Sequence, residues 1–208
     1  MTARDTKGRL LEVATSLFAA DGFDGTSVSS IVGAAEVNKR MLYHYYDSKE
    51  GLYRAVFAEQ WLAFAQGLVV KIQPLLAGDD TPERSRAILL GAVGAYYDYM
   101  AENPHFVRLI AWEGLEGGAI SRSLWGDVSG PVFQQVTALI ESTQRHGVLD
   151  PELHPGHFVI SMMGIVTYYF TYGRSLGDLI DGPVFTPEAI AARRVQLLKT
   201  VSLMLFAK

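Results

Sequence analysis

Apolar residues in this chain return at every third or fourth position, and no pattern of every second position persists. Leu10, Val13, Ala14, Leu17 and Phe18 set the pattern. It lays one apolar stripe along a helix and leaves no alternating face for a sheet. Helix-starting and helix-stopping residues cut the stripes into segments. Thr2 is placed to cap the first helix and Gly22, in ADGFDG, to end it. Thr26 or Ser27 opens a helix of about two turns bearing Val28, Ile31 and Val32, and Asn38 opens another that runs through Tyr45. Ser48 caps a long helix that reaches about Gln73, where Pro74 stops it. Thr81-Pro82-Glu83 reads as a cap followed by a first-turn proline, starting a helix to about Ala101. Further helices are expected over Pro104–Leu115, Pro131–Arg145, Pro155–Tyr172 and Pro187–Ala207, with loops at Gly117-Gly118 and in GRSLGDLIDGP. The chain is therefore expected to be all-α: three short helices, a long connecting helix and a larger helical body.

With 208 residues, 49% of them hydrophobic and 19% charged, the chain can fill such a core and lacks a disordered composition. Cysteine is absent, which removes disulfides, thiolate zinc ligands and thiol nucleophiles and is compatible with a reducing cytosol. MTARDTKGRLLEVA has no apolar run behind its charges, so no secretory signal is expected. The most membrane-like stretch is Phe158–Phe170, FVISMMGIVTYYF. It falls short of the ~20 residues that span a bilayer, so it reads as a buried helix and no membrane association is expected. A net charge of −4 is not the signature of a general nucleic-acid binder. Even Met1–Ala55 balances seven Lys and Arg against seven Asp and Glu. Placement carries more information: Arg4, Lys7 and Arg9 lie at the start, and Lys39, Arg40 and Lys49 lie in or beside VNKRMLYHYYDSKE.

On a helical wheel, Leu42, Tyr45 and Tyr46 of that stretch fall on one side and Arg40, Tyr43 and His44 on the other, with Lys39 and Met41 flanking. The inner residues are core under any reading. The outer face is cationic, aromatic and rich in hydrogen-bonding groups. Short helix, three-residue turn, short helix is the layout of a helix-turn-helix, whose second helix enters the major groove. There Arg40 can reach O6 and N7 of a guanine, Tyr43 and His44 a phosphate or a thymine methyl, and Lys49 a phosphate beside the free N–H groups of its helix. Taken singly, Arg40, His44 and Lys49 fit an ordinary solvated face equally well.

The stretch DGFDGTSVSSIVGAAEVNKRMLYHYYDSKEGLYRAVF resembles the N-terminal DNA-binding domain of TetR-family transcriptional regulators, over roughly the first 57 residues. Gly22-Phe23, Thr26-Ser27-Val28, Ala34-Ala35, Leu42–Tyr46 and Ser48-Lys49-Glu50 carry the likeness. The resemblance implies a DNA-binding domain at 1–57 and an effector-binding and dimerisation domain at 58–208. It also implies a homodimer formed through the last two helices, with DNA-facing positions at Ser27, Lys39, Arg40, Met41, Tyr43, His44 and Lys49. The sequence departs from the family at Glu36, where the turn usually carries glycine, and at Arg40 and Met41, where small residues are common. Glu36 is expected to strain the turn and to repel phosphate.

From Pro82 onward the helical layout and ENPHFVRLIAWEGLEGG are similar to the family's C-terminal domains, which implies a small-molecule pocket. Tyr96, Tyr97, Met100, Phe106, Trp112, Trp125, Phe133, Met163 and Tyr169 are its candidate lining, with Glu113, His105 and Arg108 as candidate polar anchors. Taken singly, each aromatic or methionine fits a packed core better than a ligand contact. A lining of this kind suits an apolar or aromatic effector. Helix Pro155–Tyr172 bears almost no charge, and Pro187–Ala207 sets Ile190, Leu197, Val201 and Leu205 against a polar side. Together they suit a four-helix dimer interface or, alternatively, an internal core.

Gly173-Arg174-Ser175-Leu176-Gly177 matches the GxSxG elbow of hydrolases, but that motif needs a preceding strand and a later histidine, and the last histidine is His157. His154-x-x-His157, beside Pro155 and Gly156, reads as a helix start rather than a metal site. No phosphate-cradling glycine loop is present. The sequence thus predicts a cytoplasmic, ligand-responsive repressor that binds a palindromic duplex operator, with no catalytic residues, cofactor or metal. The rival readings are a helical small-molecule-binding protein or enzyme without DNA binding, and a purely structural helical dimer.

Overall fold

The computed structural model describes residues 3–76, 81–124, 130–180 and 182–206, so Thr2 and Trp125 lie outside the described residues. The helices are α1 (Ala3–Gly25), α2 (Val28–Ala35), α3 (Lys39–Tyr46), α4 (Lys49–Ile72), α5 (Pro82–Glu102), α6 (Pro104–Leu115), α7 (Ala119–Ser123), α8 (Gly130–Arg145), α9 (Pro155–Tyr172) and α10 (Pro187–Phe206). Single-turn or longer 3₁₀ segments follow α4 at Gln73–Leu76 and α9 at Gly173–Ile180, and no strand occurs among the described residues. The all-α expectation holds, with three departures. The first helix is long, not short, although its helical path does break at Gly22 as expected, with a last short turn beyond it. A five-residue helix, α7, occupies part of the expected loop after Gly118. The segment after α9 is a 3₁₀ helix, not a flexible loop.

By their internal contacts the described residues form two compact units, Met1–Ala63 with Pro104–Ser129 and Phe64–Asn103 with Gly130–Lys208. A cut at residue 57 would therefore place α6 and α7 with the later residues, whereas they pack with the first.

In the first unit, Leu10, Ala14 and Phe18 of α1, Ile31 and Ala35 of α2, Leu42 of α3 and Leu52 and Val56 of α4 are fully buried, joined by Phe106 and Leu109 of α6. Phe18, Phe23 and Tyr53 form an aromatic knot, with Phe18 and Tyr53 edge to face at 4.9 Å. Caps fix the helix boundaries. Ser27, not Thr26, caps α2 by a reciprocal capping box with Ser30. Thr26 is buried and donates its hydroxyl to Gly22 O at 2.8 Å. Asn38 caps α3 through Arg40 N–H, and Ser48 caps α4 through Gly51 N–H. Tyr46 at the end of α3 donates to Lys7 O at 2.9 Å, tying α3 to α1.

Burial, with Glu59 second, pushes the Tyr46 phenol up to about 12. The folded chain therefore holds this proton while the unfolded chain loses it near the ordinary phenol value of 10.0, so stability falls as pH rises between the two. Tyr46→Phe is expected to lessen the loss of stability over that interval, as read from chemical denaturation at stepped alkaline pH.

The second unit is built around α5. Leu89, Ile140, Val148, Leu149, Phe158 and Val159 form its core, with Phe133, Val136, Met162, Met163, Leu205 and Phe206 packed against them. Thr81 caps α5 ahead of Pro82, and His154 caps α9 by accepting Gly156 N–H at 3.2 Å. The bidentate pair of Arg194 with Asp98, at 2.7 and 3.0 Å, joins α10 to α5. The two glycines of the GxSxG pattern have a packing reason. A Cβ at Gly173 would lie 2.9 Å from Val184 Cγ1, and one at Gly177 would lie 3.3 Å from Val184 Cγ2. Both leave space for the Val184 side chain, and the backbone carbonyl of Val184 accepts the Tyr169 hydroxyl.

Over an 18-residue window it is α4, not Phe158–Phe170, that is long and apolar enough to cross a membrane by composition, with 33% of that window buried. Many of its apolar residues have packing roles: Leu52, Tyr53, Val56 and Phe57 are buried in the first unit, and Phe64, Ala65, Leu68 and Ile72 in the second, while Leu62, Val69 and Val70 are exposed.

Candidate nucleic-acid interface and effector cavity

The side chains of α3 divide as the helical wheel predicts, with one exception. Leu42 and Tyr46 are buried, while Lys39, Arg40, Tyr43 and His44 are exposed and Met41 is half-buried. The exception is Tyr45, which is half-buried and leans on His44 at 4.9 Å between centroids. Lys39 Nζ lies 5.9 Å from the Tyr43 ring, so cation and phenol share one patch. Ser27, at the start of α2, is exposed with its hydroxyl engaged in the capping box. Lys49, at the start of α4, is half-buried, and its ammonium rests 4.2 Å above the Phe23 ring centroid. That contact holds the charge at the α4 N-terminus, where backbone N–H groups favour an anion.

Between α2 and α3 the chain turns through Glu36, at φ 54° and ψ 41°, the left-handed conformation that glycine adopts freely. The expected strain is therefore present. The Glu36 carboxylate is also not bare: it accepts from Arg9 Nη2 of α1 at 2.9 Å.

Helix α6 secures the other end of the first unit. At Gly22 (φ 72°, ψ −177°) the helical path breaks, so the last carbonyls of the main run of α1 lose their usual donors. Arg108 supplies replacements, donating Nε–H to Ala19 O and Nη2–H to Ala20 O, the latter at 2.6 Å. Trp112 Nε1 lies 3.3 Å from Ala19 O, and its ring covers Gly22. Arg108 and Trp112 thus clamp a helix terminus, Phe106 is core beside Trp61, and buried Glu113 accepts from Ser121 N–H at 2.9 Å. His105 is exposed. These residues were expected in or near a ligand pocket, and sequence could not reveal that Gly22 would leave carbonyls for Arg108 to satisfy.

The second unit contains a cavity of ≈ 100 Å³. It is walled by α4 (Phe64, Leu68, Ile72), α5 (Leu89, Ala92, Val93, Tyr96), α8 and α9, and its surface is almost wholly apolar. Of the nine expected lining residues, Tyr96, Phe133 and Met163 reach it. Tyr97 turns instead to Tyr169 and Phe170 and donates its hydroxyl to Ile190 O, and Met100 is buried in packing. Phe106 and Trp112 belong to the first unit. The valines and leucines of α5 and α8 were missed because residue type alone does not tell a cavity wall from a core. The Tyr96 hydroxyl is engaged with Thr167 Oγ1 at 2.7 Å, which leaves the cavity without a free polar anchor among its lining side chains.

On α9 and α10, Ile160, Tyr168, Tyr172, Val195, Leu203 and Met204 are exposed apolar residues, from 54% to 67% accessible. Tyr168 and Tyr172 stack at 5.1 Å, and nothing lies within 4 Å of a Cβ built at Gly164, between Ile160 and Tyr168 on the same face.

A three-helix head offering one cationic, aromatic helix, in a chain whose second unit carries an apolar cavity, has the layout of a ligand-responsive DNA-binding regulator. Residues 10–56 match the family described as bacterial regulatory proteins, tetR family, and residues 87–201 match the tetracyclin repressor-like C-terminal domain. The HTH-type transcriptional repressor NicS of Pseudomonas putida is 26% identical over 177 residues, 84% of this chain and 80% of that one. The HTH-type transcriptional repressor SCO4008 of Streptomyces coelicolor is 29% identical over 153 residues, 72% of each. The crystal structure of SCO4942 from Streptomyces coelicolor superposes with a TM-score of 0.71 at 24% identity, covering 98% of this chain and 99% of that one. The chain belongs to the TetR family of transcriptional regulators.

Proposed function

We propose that the protein is a cytoplasmic, non-catalytic repressor that holds a palindromic operator as a homodimer and leaves it when a small apolar or aromatic effector fills the α4–α5–α8–α9 cavity. The observation that carries this reading is the outer face of α3, where Lys39, Arg40, Tyr43 and His44 are exposed on a helix anchored by buried Leu42 and Tyr46. Arg40, in the first turn, is the base reader, bidentate to a guanine, and Tyr43 and His44 flank it. Lys39, Met41, Ser27 and Lys49 adjust and anchor the helix, Lys49 and Ser27 through phosphates.

The exposed apolar residues of α9 and α10 support dimerisation through the last two helices. The bare Gly164 face supports close approach of a partner helix there. Residues 1–57 read DNA with α6 as their support, and 58–208 otherwise serve the effector and the dimer. A dry apolar cavity of about 150 Å³ admits benzene. The present volume accordingly suits a small ring or the end of an apolar chain. Effector response then depends on how differently the ligand binds the operator-competent and released states.

The test is selection of bound sequences from a random duplex pool, for wild type and Arg40→Ala. A palindrome relaxed at one position in each half by Arg40→Ala, with affinity for the best site down by about tenfold to a hundredfold, is the expected result. No enrichment at low salt from a folded dimer would replace this reading with that of a ligand-binding protein that does not read DNA.

A further inference from the structure

We propose that Arg9 and Glu36 form a charge clasp that holds operator affinity down: Glu36 competes with DNA phosphate for the Arg9 guanidinium. The inference rests on the reading that α3 faces DNA, and it adds two affinity-setting residues outside α3.

Stability does not account for Glu36. Its left-handed backbone is strained relative to glycine, and Glu36 is one of only two non-glycine residues at positive φ among the described residues. Its ion pair with Arg9 is solvent-exposed, with side-chain accessibilities of 76% and 38%. Pairs of that exposure contribute little to stability. Glycine at this position would therefore serve the fold at least as well.

Position offers the alternative. Glu36 ends α2 and lies three residues before Lys39 and four before Arg40, at the edge of the surface that α3 presents. A carboxylate there repels phosphate from the side that Arg40 must approach. The same carboxylate occupies Arg9 at 2.9 Å, so a cation near the interface is neutralised in the free protein. When DNA docks, phosphate can replace the carboxylate as the partner of Arg9. Part of the energy of that contact is then spent in parting the clasp. Both non-specific and specific binding are weakened, and the protein stays easier to release.

The test uses the full-length protein and its selected operator duplex, measuring affinity across a salt series for Glu36→Gln, Arg9→Gln, the double variant and Arg40→Ala. Glu36→Gln is expected to bind about fivefold tighter, the size of one unit charge at ~4 Å in water. Its slope of log affinity against log salt is expected to steepen by up to about 0.9, one added phosphate contact. Arg9→Gln should weaken binding, and Glu36→Gln made in that background should not restore the steeper slope. Wild-type affinity and slope in Glu36→Gln would overturn the clasp even if thermal stability changed, since a purely structural pair alters melting alone. If Arg40→Ala also binds as wild type, the DNA-facing reading of α3 fails, and the clasp proposal with it. Normal loss in Arg40→Ala confines a failure to the clasp.

Discussion

Gly22→Ala is expected to destabilise the first unit by about 3 kcal/mol or more, and to release its operator at temperatures the wild type tolerates. Two independent costs meet at this residue. Its backbone, at φ 72° and ψ −177°, lies in a region essentially restricted to glycine, where another residue costs on the order of 1–3 kcal/mol. In addition, a Cβ there would come within 3.0, 3.1 and 3.3 Å of three atoms of the Trp112 ring. The indole cannot simply turn away, because its Nε1 faces Ala19 O and Arg108 holds the same helix end. Urea denaturation followed by far-ultraviolet circular dichroism measures the loss. Arg108→Ala, which removes the clamp while leaving Gly22 in place, should cost less, about 1–2 kcal/mol, because the guanidinium is partly exposed. A melt indistinguishable from wild type in Gly22→Ala would mean that the break in α1 relaxes without its glycine.

Gly51→Ala is expected to have an effect of similar size by a different route. A Cβ at Gly51 would lie 2.1 Å from the Tyr46 carbonyl oxygen, closer than any contact tolerates. That oxygen is backbone and also accepts Ser48 N–H at 2.6 Å, so relief requires opening the turn between α3 and α4. Asp47, already at positive φ within that turn, has little freedom to absorb the change. Overpacking typically costs about 1–3 kcal/mol and more where backbone must move. Because α3 hangs from this turn, operator affinity should fall further than stability alone explains. Gly33→Ala is the control: nothing lies within 4 Å of its Cβ, so alanine should be neutral or stabilising by up to ~1 kcal/mol. Titrating operator at a urea concentration where both variants remain folded separates lost affinity from lost fold.

What could be read in the sequence was local. Asn38, Ser48, Thr81 and Pro82 begin helices because each acts on N–H groups within a few residues of itself, and those distances are fixed by the chain. The inner and outer faces of α3 were legible for the same reason, a helical period being a local property. Tyr45 departs from it because its ring settles on His44, a neighbour in sequence but not a core position. The cavity could not be read in this way. Tyr97 and Tyr96 are adjacent, yet one packs against Tyr169 and the other lines the cavity, a difference set by which helices surround α5. The role of Arg108 is further still from the sequence, since it answers carbonyls freed by a glycine 86 positions earlier. The only hint in the sequence was general: a helix that stops at glycine leaves end carbonyls in need of donors, which does not say that Arg108 supplies them.

The first unit is discontinuous, because Pro104–Ser129 completes what Met1–Ala63 begins. That arrangement matters for both biosynthesis and engineering. As the ribosome delivers the chain, the head waits through forty intervening residues before α6 emerges to cover Ala19 and Gly22, so an early nascent fragment exposes the very surface that later becomes its seam. A chimera that grafts this head onto a foreign effector body by cutting after residue 57 inherits the same gap. Carrying α6 across with the head, or recoding the partner's corresponding helix to offer an arginine and an indole, would keep the graft intact.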